Sequence, residues 1–219
     1  MLRAVIFDMD GVLIDSVQVV YEARARVLAR HGVNLGMVPD PHHEGHKGSS
    51  TRLLMKAVLE KTGIELDDAG FSNEVRAELP EAFRNTNVDN ALVGLLEDLR
   101  RHKIECAIAT SGRAEGVQIK LQVLGIGGYF AQIVTAEDVT NHKPDPEIYL
   151  AAAKRLGVGA RDCLVIEDSG AGIEAGNAAG CTVIGYTGFN SDKSPLKGAK
   201  LTVDSWTELS FSRLNELTN

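Results

Sequence analysis

The chain is poor in cysteine, in long apolar runs and in concentrated positive charge, and each shortage removes a class of protein. Only three cysteines occur in 219 residues, at positions 106, 163 and 181, with no CxxC pair among them. An odd count without paired spacing speaks against a disulfide scaffold or a thiolate metal centre. Cys106 and Cys163 instead fall inside apolar segments of strand character, where a thiol acts as a small hydrophobe. The apolar runs are strand-sized, well short of the ~20 residues a membrane-spanning helix needs. The amino terminus runs straight into an acidic strand end rather than a leader pattern, so a cytoplasmic location is the default expectation. The net charge of -7 comes without a basic block, so neither nucleic acid nor an anionic membrane is an expected partner. No repeat period and no low-complexity tract is visible.

What is present is an ordinary globular composition, 44% apolar and 24% charged, in a chain long enough for one core domain and a smaller insertion. Short β-type runs alternate with helical stretches, which predicts an α/β fold, a Rossmann-like parallel sheet flanked by helices. The strand-like runs are Leu2 to Asp8, Ile104 to Thr110, Gln132 to Thr135, Cys163 to Asp168, Thr182 to Tyr186 and, more weakly, Lys200 to Val203. One helix is expected from Asp145 as N-cap and Pro146 as first residue to a stop at Gly157; another runs from Arg113 to Leu124 with Val117, Leu121 and Leu124 inward and Gly125 after it. Residues 16–85 break the alternation. They carry three helical patterns, one beginning at Ser16 with Val17, Val20, Val27 and Leu28, the others centred on Leu53 to Leu59 and Val75 to Phe83, so a helical cap domain is expected at 16–85 inside a core of 1–15 and 86–219.

The chemistry-bearing residues gather at strand ends. Asp8-Met9-Asp10-Gly11 closes the first strand, and extended geometry points residues two apart to the same side. An Asp pair at such a place also serves simply as a turn cap. After the second strand, Thr110-Ser111-Gly112 offers hydroxyls and amides at a helix entrance, a place that holds anions and equally an ordinary strand-to-helix turn. Lys143 sits in His142-Lys143-Pro144-Asp145-Pro146, where two prolines stiffen a loop; a pre-set lysine neutralises developing negative charge at little entropic cost. Glu167-Asp168 ends another apolar strand. Four acids at one sheet edge repel a phosphate unless a divalent cation intervenes, and hard oxygen donors without histidine or cysteine nearby suggest magnesium.

In order and spacing, DMDGVLIDS, ATS, KPDPEIY and IEDSGAGIEAG resemble the four motifs of the haloacid dehalogenase superfamily, and the likeness covers nearly the whole chain. The helical insertion directly after Asp15 and Ser16 is similar to the subgroup that holds β-phosphoglucomutases and small sugar-phosphate phosphatases. The resemblance implies that Asp8 is a nucleophile forming an aspartyl-phosphate and that Asp10 is the general acid and base. It implies that Thr110 and the amides of Ser111 and Gly112 hold the phosphoryl oxygens, while Lys143 offsets their charge. Magnesium would be held by Asp8, the Asp10 carbonyl and Asp168, with Glu167 directly or through water. The implied activity is hydrolysis of a small phosphorylated metabolite, and nothing in the sequence forbids a monomer. Dehalogenases lack the second acid found here at position 10. β-Phosphoglucomutases place a histidine in the first cap helix where this chain has Val20, so hydrolase is preferred to mutase.

Two readings from other classes compete. Gly170-x-Gly172-x-x-Ala175 matches a dinucleotide fingerprint, although Glu167 and Asp168 would repel a pyrophosphate. A phosphate-accepting signalling protein would share acid, hydroxyl and lysine, but needs neither Asp10 nor a cap. Within the cap, His42, His43 and His46 belong to a polar loop rather than a metal site, and Lys47, or Thr51 and Arg52, is expected to meet a second anionic group of the substrate.

Overall fold

A computed structural model of the chain describes residues 1–38, 51–84, 86–190 and 196–218. It divides into two compact units, one of Met1–Asp15 with Asn87–Asn219 and one of Ser16–Thr86. The larger unit is built on a six-stranded sheet, with β1 at Ala4–Phe7, β2 at Glu105–Ala109, β3 at Gln132–Val134, β4 at Cys163–Glu167, β5 at Thr182–Tyr186 and β6 at Leu201–Val203. The spatial order is β3-β2-β1-β4-β5-β6 with every neighbouring pair parallel. All six apolar runs of the sequence are therefore strands, each within three residues of its expected bounds. Runs of Val, Ile, Ala and Cys suit them, because a parallel strand between helices is buried on both faces.

Alternation along β1 feeds two cores. Ala4 and Ile6 join Ala107, Ala109, Val165 and Val183 under two helices. Phe7 points the other way, packing edge-on to Phe130 at 5.8 Å and against Trp206 at 6.2 Å.

Five helices of this unit are α4 at Asn90–Arg101, α5 at Ala114–Leu124, α6 at Glu147–Leu156, α7 at Gly170–Ala178 and α8 at Phe211–Leu217. In α5 the inward residues are Val117, Leu121 and Leu124, as their spacing predicts, and Gly125 follows with φ +67°. Helix α6 ends at Gly157 with φ +70°. Both glycines take the left-handed conformation that a Cβ would strain. Pro146 stands at the N-cap of α6 rather than inside it, and the Asp145 carboxylate accepts from the Glu147 amide at 2.9 Å. Cys106, Cys163 and Cys181 are free and buried.

Among its described residues the smaller unit holds three α-helices, α1 at Ser16–Arg30, α2 at Thr51–Thr62 and α3 at Asp68–Phe83. Val27, Leu28, Leu35, Leu54, Met55, Val58 and Phe71 form its core. Val17 is exposed and Val19, Ala23, Val27 and Leu28 face inward, so the inward stripe of α1 begins at Val19. Helix α3 starts seven residues before Val75, because Asp67 caps it by accepting from the Gly70 amide. No helix among the described residues is long and apolar enough to cross a membrane.

Candidate active site

Strand β1 lies at the centre of the sheet with β2 on one side and β4 on the other. Chain connections leave it in opposite directions, the kind of switch point where open α/β sheets bind ligands beyond the carboxyl ends of their strands. Asp8 follows β1, Thr110 follows β2 and Glu167 ends β4, so three of the four chemical segments meet there by topology alone.

The Asp8 amide continues the sheet by donating to the Ile166 carbonyl at 3.0 Å. Met9 turns fully into the core, which leaves Asp8 and Asp10 on the other side. The Met9 carbonyl then accepts from the amides of Val12, Leu13 and Ile14, and Gly11 takes φ +84°. A Cβ on Gly11 would stand 2.3 Å from Asp168 Oδ2. The glycine is thus needed twice, for the turn and for the approach of the Asp168 carboxylate.

Lys143 reaches into this space with only 6% of its side chain exposed. Its three ammonium protons go to Asp8 Oδ1 at 2.5 Å, Glu167 Oε1 at 2.7 Å and the Ala109 carbonyl at 3.1 Å, and it lies 4.9 Å from the centre of the Tyr149 ring. The loop that presents it is clamped by more than its prolines. The Glu147 carboxylate accepts from the amides of Thr140 and Asn141 at 2.9 and 2.8 Å, and these donors hold it below the ordinary carboxylate range.

One ammonium between two buried carboxylates leaves a negative charge in excess, and the two acids resolve it differently. Burial pushes Asp8 up to about 8; Lys143 opposes that rise and Glu167 reinforces it. Burial also pushes Glu167 upward, but Lys143 together with hydrogen bonds from the Ser169 amide and Tyr149 outweighs it, so Glu167 stays below its usual value. Lys143 is desolvated, yet its two carboxylates raise its pKa and keep it protonated.

The expectation that Glu167 is a metal ligand meets a carboxylate already in full use. Its Oε1 accepts from Lys143 and from the Tyr149 hydroxyl at 2.8 Å, and its Oε2 from the Ser169 amide and hydroxyl, both at 2.9 Å. Gly172 lies so close above it that a Cβ there would fall 1.8 Å from Oε1. Gly172, the second glycine of the dinucleotide-like pattern, thus serves close packing over an acid. Gly176 plays a similar part, its missing Cβ lying 2.8 Å from Val183.

Thr110 is buried, and its hydroxyl oxygen accepts from the Gly112 amide at 3.0 Å; Ser111 is exposed beside it. A Cβ on Gly112 would lie 3.3 Å from Thr110 Oγ1 and 3.6 Å from Asp10 Oδ2, so the hydroxyl loop and the second aspartate share one space. Asp8, Asp10, Thr110, Ser111, Gly112, Lys143, Glu167 and Asp168 thus all belong to one end of the sheet. Lys47 and the three histidines of its loop lie outside the described residues. The structure gives roles to Tyr149 and Glu147, which sit in the third motif without one, and adds Lys120, which is ion-paired with Asp10. In sequence Lys120 is an ordinary lysine flanking the apolar stripe of α5, and no local signal marks it.

Four carboxylates here face two ammonium groups, so the donor set is anionic, oxygen-only and short of positive charge. Among the described residues no three His, Cys, Asp or Glu side chains are gathered as a metal cage. Magnesium does not require one; it is commonly held by one or two carboxylates together with substrate phosphate. Asp8 and Asp168 fit that pattern.

A sequence model of the haloacid dehalogenase-like hydrolases matches residues 5–186. The chain belongs to that family. It is 34% identical over 186 residues to a phosphorylated carbohydrates phosphatase of Thermotoga maritima, covering 82% of each chain. It is 30% identical to hexitol phosphatase A of Escherichia coli, over 96% of this chain and 94% of that one. Among solved structures, a β-phosphoglucomutase of Clostridium difficile superposes with a TM-score of 0.76 at 28% identity, over 100% of this chain and 98% of the other. The chain is thus a family enzyme whose relatives include both phosphatases and a phosphomutase.

Proposed function

We propose that the protein is a magnesium-dependent phosphatase of small phosphate monoesters, sugar or polyol phosphates, working through an aspartyl-phosphate on Asp8. The observation that carries this reading is the pairing of a buried Asp8 with Lys143 at the end of the central strand, with Asp10 two residues on and the Thr110 loop opposite.

In the first half-reaction an Asp8 oxygen bonds to phosphorus while the bond from phosphorus to the ester oxygen breaks, and Asp10 gives its proton to the departing alkoxide. In the second, water attacks phosphorus, Asp10 takes the water proton, and Asp8 leaves as carboxylate. Thr110 and the amides of Ser111 and Gly112 bind the phosphoryl oxygens, the Gly112 amide exchanging its bond to Thr110 for one to substrate. Lys143 lies beside the nucleophile and counters the charge spread over those oxygens. Glu167 and Tyr149 fix Lys143 in place. Asp8, Asp168 and the Asp10 carbonyl would hold magnesium, which when bound supplies positive charge to the nucleophile and the phosphate. Burial raises the pKa of the Asp8 nucleophile, and an adjacent cation favours its reactive carboxylate form.

The polyol or sugar class follows from what the related phosphatases are named for. It is tested by screening sugar, polyol and nucleotide monophosphates for phosphate release with and without magnesium. Release from none of them would refute the reading. The mutase relative supports a second reading, transfer of the phosphoryl group to another hydroxyl of the same sugar. Formation of a positional isomer without free phosphate would establish it over hydrolysis.

A further inference from the structure

Each aspartate of the pair has its own lysine, and the second of these has no role in the mechanism so far. Lys120 is the only basic residue of α5. Its ammonium donates to Asp10 Oδ1, and its side chain is 13% exposed against 37% for Asp10. A lysine on a helix surface ordinarily keeps its head in water; this one turns its head inward to an acid 110 positions earlier in the chain. The other carboxylate oxygen, Oδ2, faces the phosphate loop, 3.6 Å from where a Gly112 Cβ would stand.

We propose that Lys120 is the positioning residue of the acid/base: by holding Oδ1 it turns Oδ2 toward the Thr110–Gly112 loop, where the leaving oxygen and then the attacking water must lie. This rests on the assignment of Asp10 as acid and base. Proton transfer needs the donor atom within hydrogen-bond reach of the oxygen it serves. A carboxylate on a short side chain at the entrance to a glycine-assisted turn has rotational freedom that Lys120 removes. Helix α5 also begins directly after the loop that binds the phosphoryl oxygens, so one rigid element sets both the phosphate and the proton donor. The proton itself moves between Asp10 Oδ2 and the ester or water oxygen; Lys120 keeps its own.

The test exploits leaving groups. Expulsion of an alkoxide needs the acid, expulsion of p-nitrophenolate hardly does, and hydrolysis of the phosphoenzyme needs Asp10 as base in both cases. In K120M, kcat/KM for the preferred alkyl phosphate should fall about 30-fold, a part of the 10²–10⁴ that acid–base catalysis supplies, while kcat/KM for p-nitrophenyl phosphate falls less than about threefold. With the aryl ester kcat and KM should drop together, because only the second step is slowed. K120R should recover the alkyl ester to within about threefold of wild type, since arginine also donates to a carboxylate oxygen. D10N is run beside them. If D10N fails to separate alkyl from aryl esters, the acid assignment falls and this proposal with it. If D10N separates them and K120M lowers both equally or neither, or if K120R is no better than K120M, the role of Lys120 alone is refuted.

Discussion

Gly172→Ala isolates the buried support of Lys143 without touching a chemical group. The added methyl would lie 1.8 Å from Glu167 Oε1, 1.9 Å from its Cδ and 2.4 Å from Oε2. The nearest approach real Cβ atoms tolerate is about 3.0 Å, so the carboxylate has to move by more than an ångström. Four hydrogen bonds of 2.7 to 2.9 Å depend on its present place. Losing one partner of a buried ion pair costs about 3–5 kcal/mol. A protein of this length shifts by about 2–4 °C per kcal/mol, so Tm should drop by about 6–20 °C. The single tryptophan reports it well: Trp206 is buried and stacked 4.4 Å from Tyr186 in the same unit. Gly170→Ala, in the same turn of α7 but with nothing within 4 Å of its Cβ position, is the control and should stay within about 0.5 kcal/mol of wild type. Two alanine variants with indistinguishable melting curves would refute the claim that Gly172 makes room for Glu167.

Other consequences concern charge. Asp8 is raised in the folded protein to about 8 from 3.8, so its contribution to stability is present below pH 3.8 and is lost as pH rises through 8. In chelator, the urea midpoint of wild type should therefore fall relative to that of Asp8→Asn between about pH 4 and 8; a constant gap, or one that moves in favour of wild type, would contradict the assigned environment. Asp168→Asn should raise the magnesium concentration needed for half-maximal activity by at least about tenfold, in the range seen when groups that support a metal are removed. An unchanged magnesium titration would take Asp168 out of the ligand set.

Much of this was legible because the relevant physics is local. Buried parallel strands read as short apolar runs, and glycines at 125 and 157 stop helices wherever a left-handed residue follows. Three of the four motifs read as a site because each ends a strand, and parallel strands deliver their carboxyl ends to one edge of the sheet; Lys143 joins them from the loop before α6. What sequence did not show was set by distance. Lys120 meets Asp10 across 110 residues, and nothing in its neighbourhood separates it from a solvated lysine. Glu167 reads as a ligand from its place beside Asp168, yet Tyr149, Ser169 and Lys143 converge on it only in the fold. The stripe of α1 was displaced from Val17 to Val19 because every valine near the start of that helix fits some apolar face, and packing alone selects among them.

The central claim, a covalent phosphoryl group on Asp8, is tested by rapid quench of wild type with a labelled phosphate monoester and magnesium. An acid-stable, hydroxylamine-labile label on the peptide that contains Asp8, absent from Asp8→Asn, is the predicted result. A label on any other residue, or full turnover by Asp8→Asn, would contradict it.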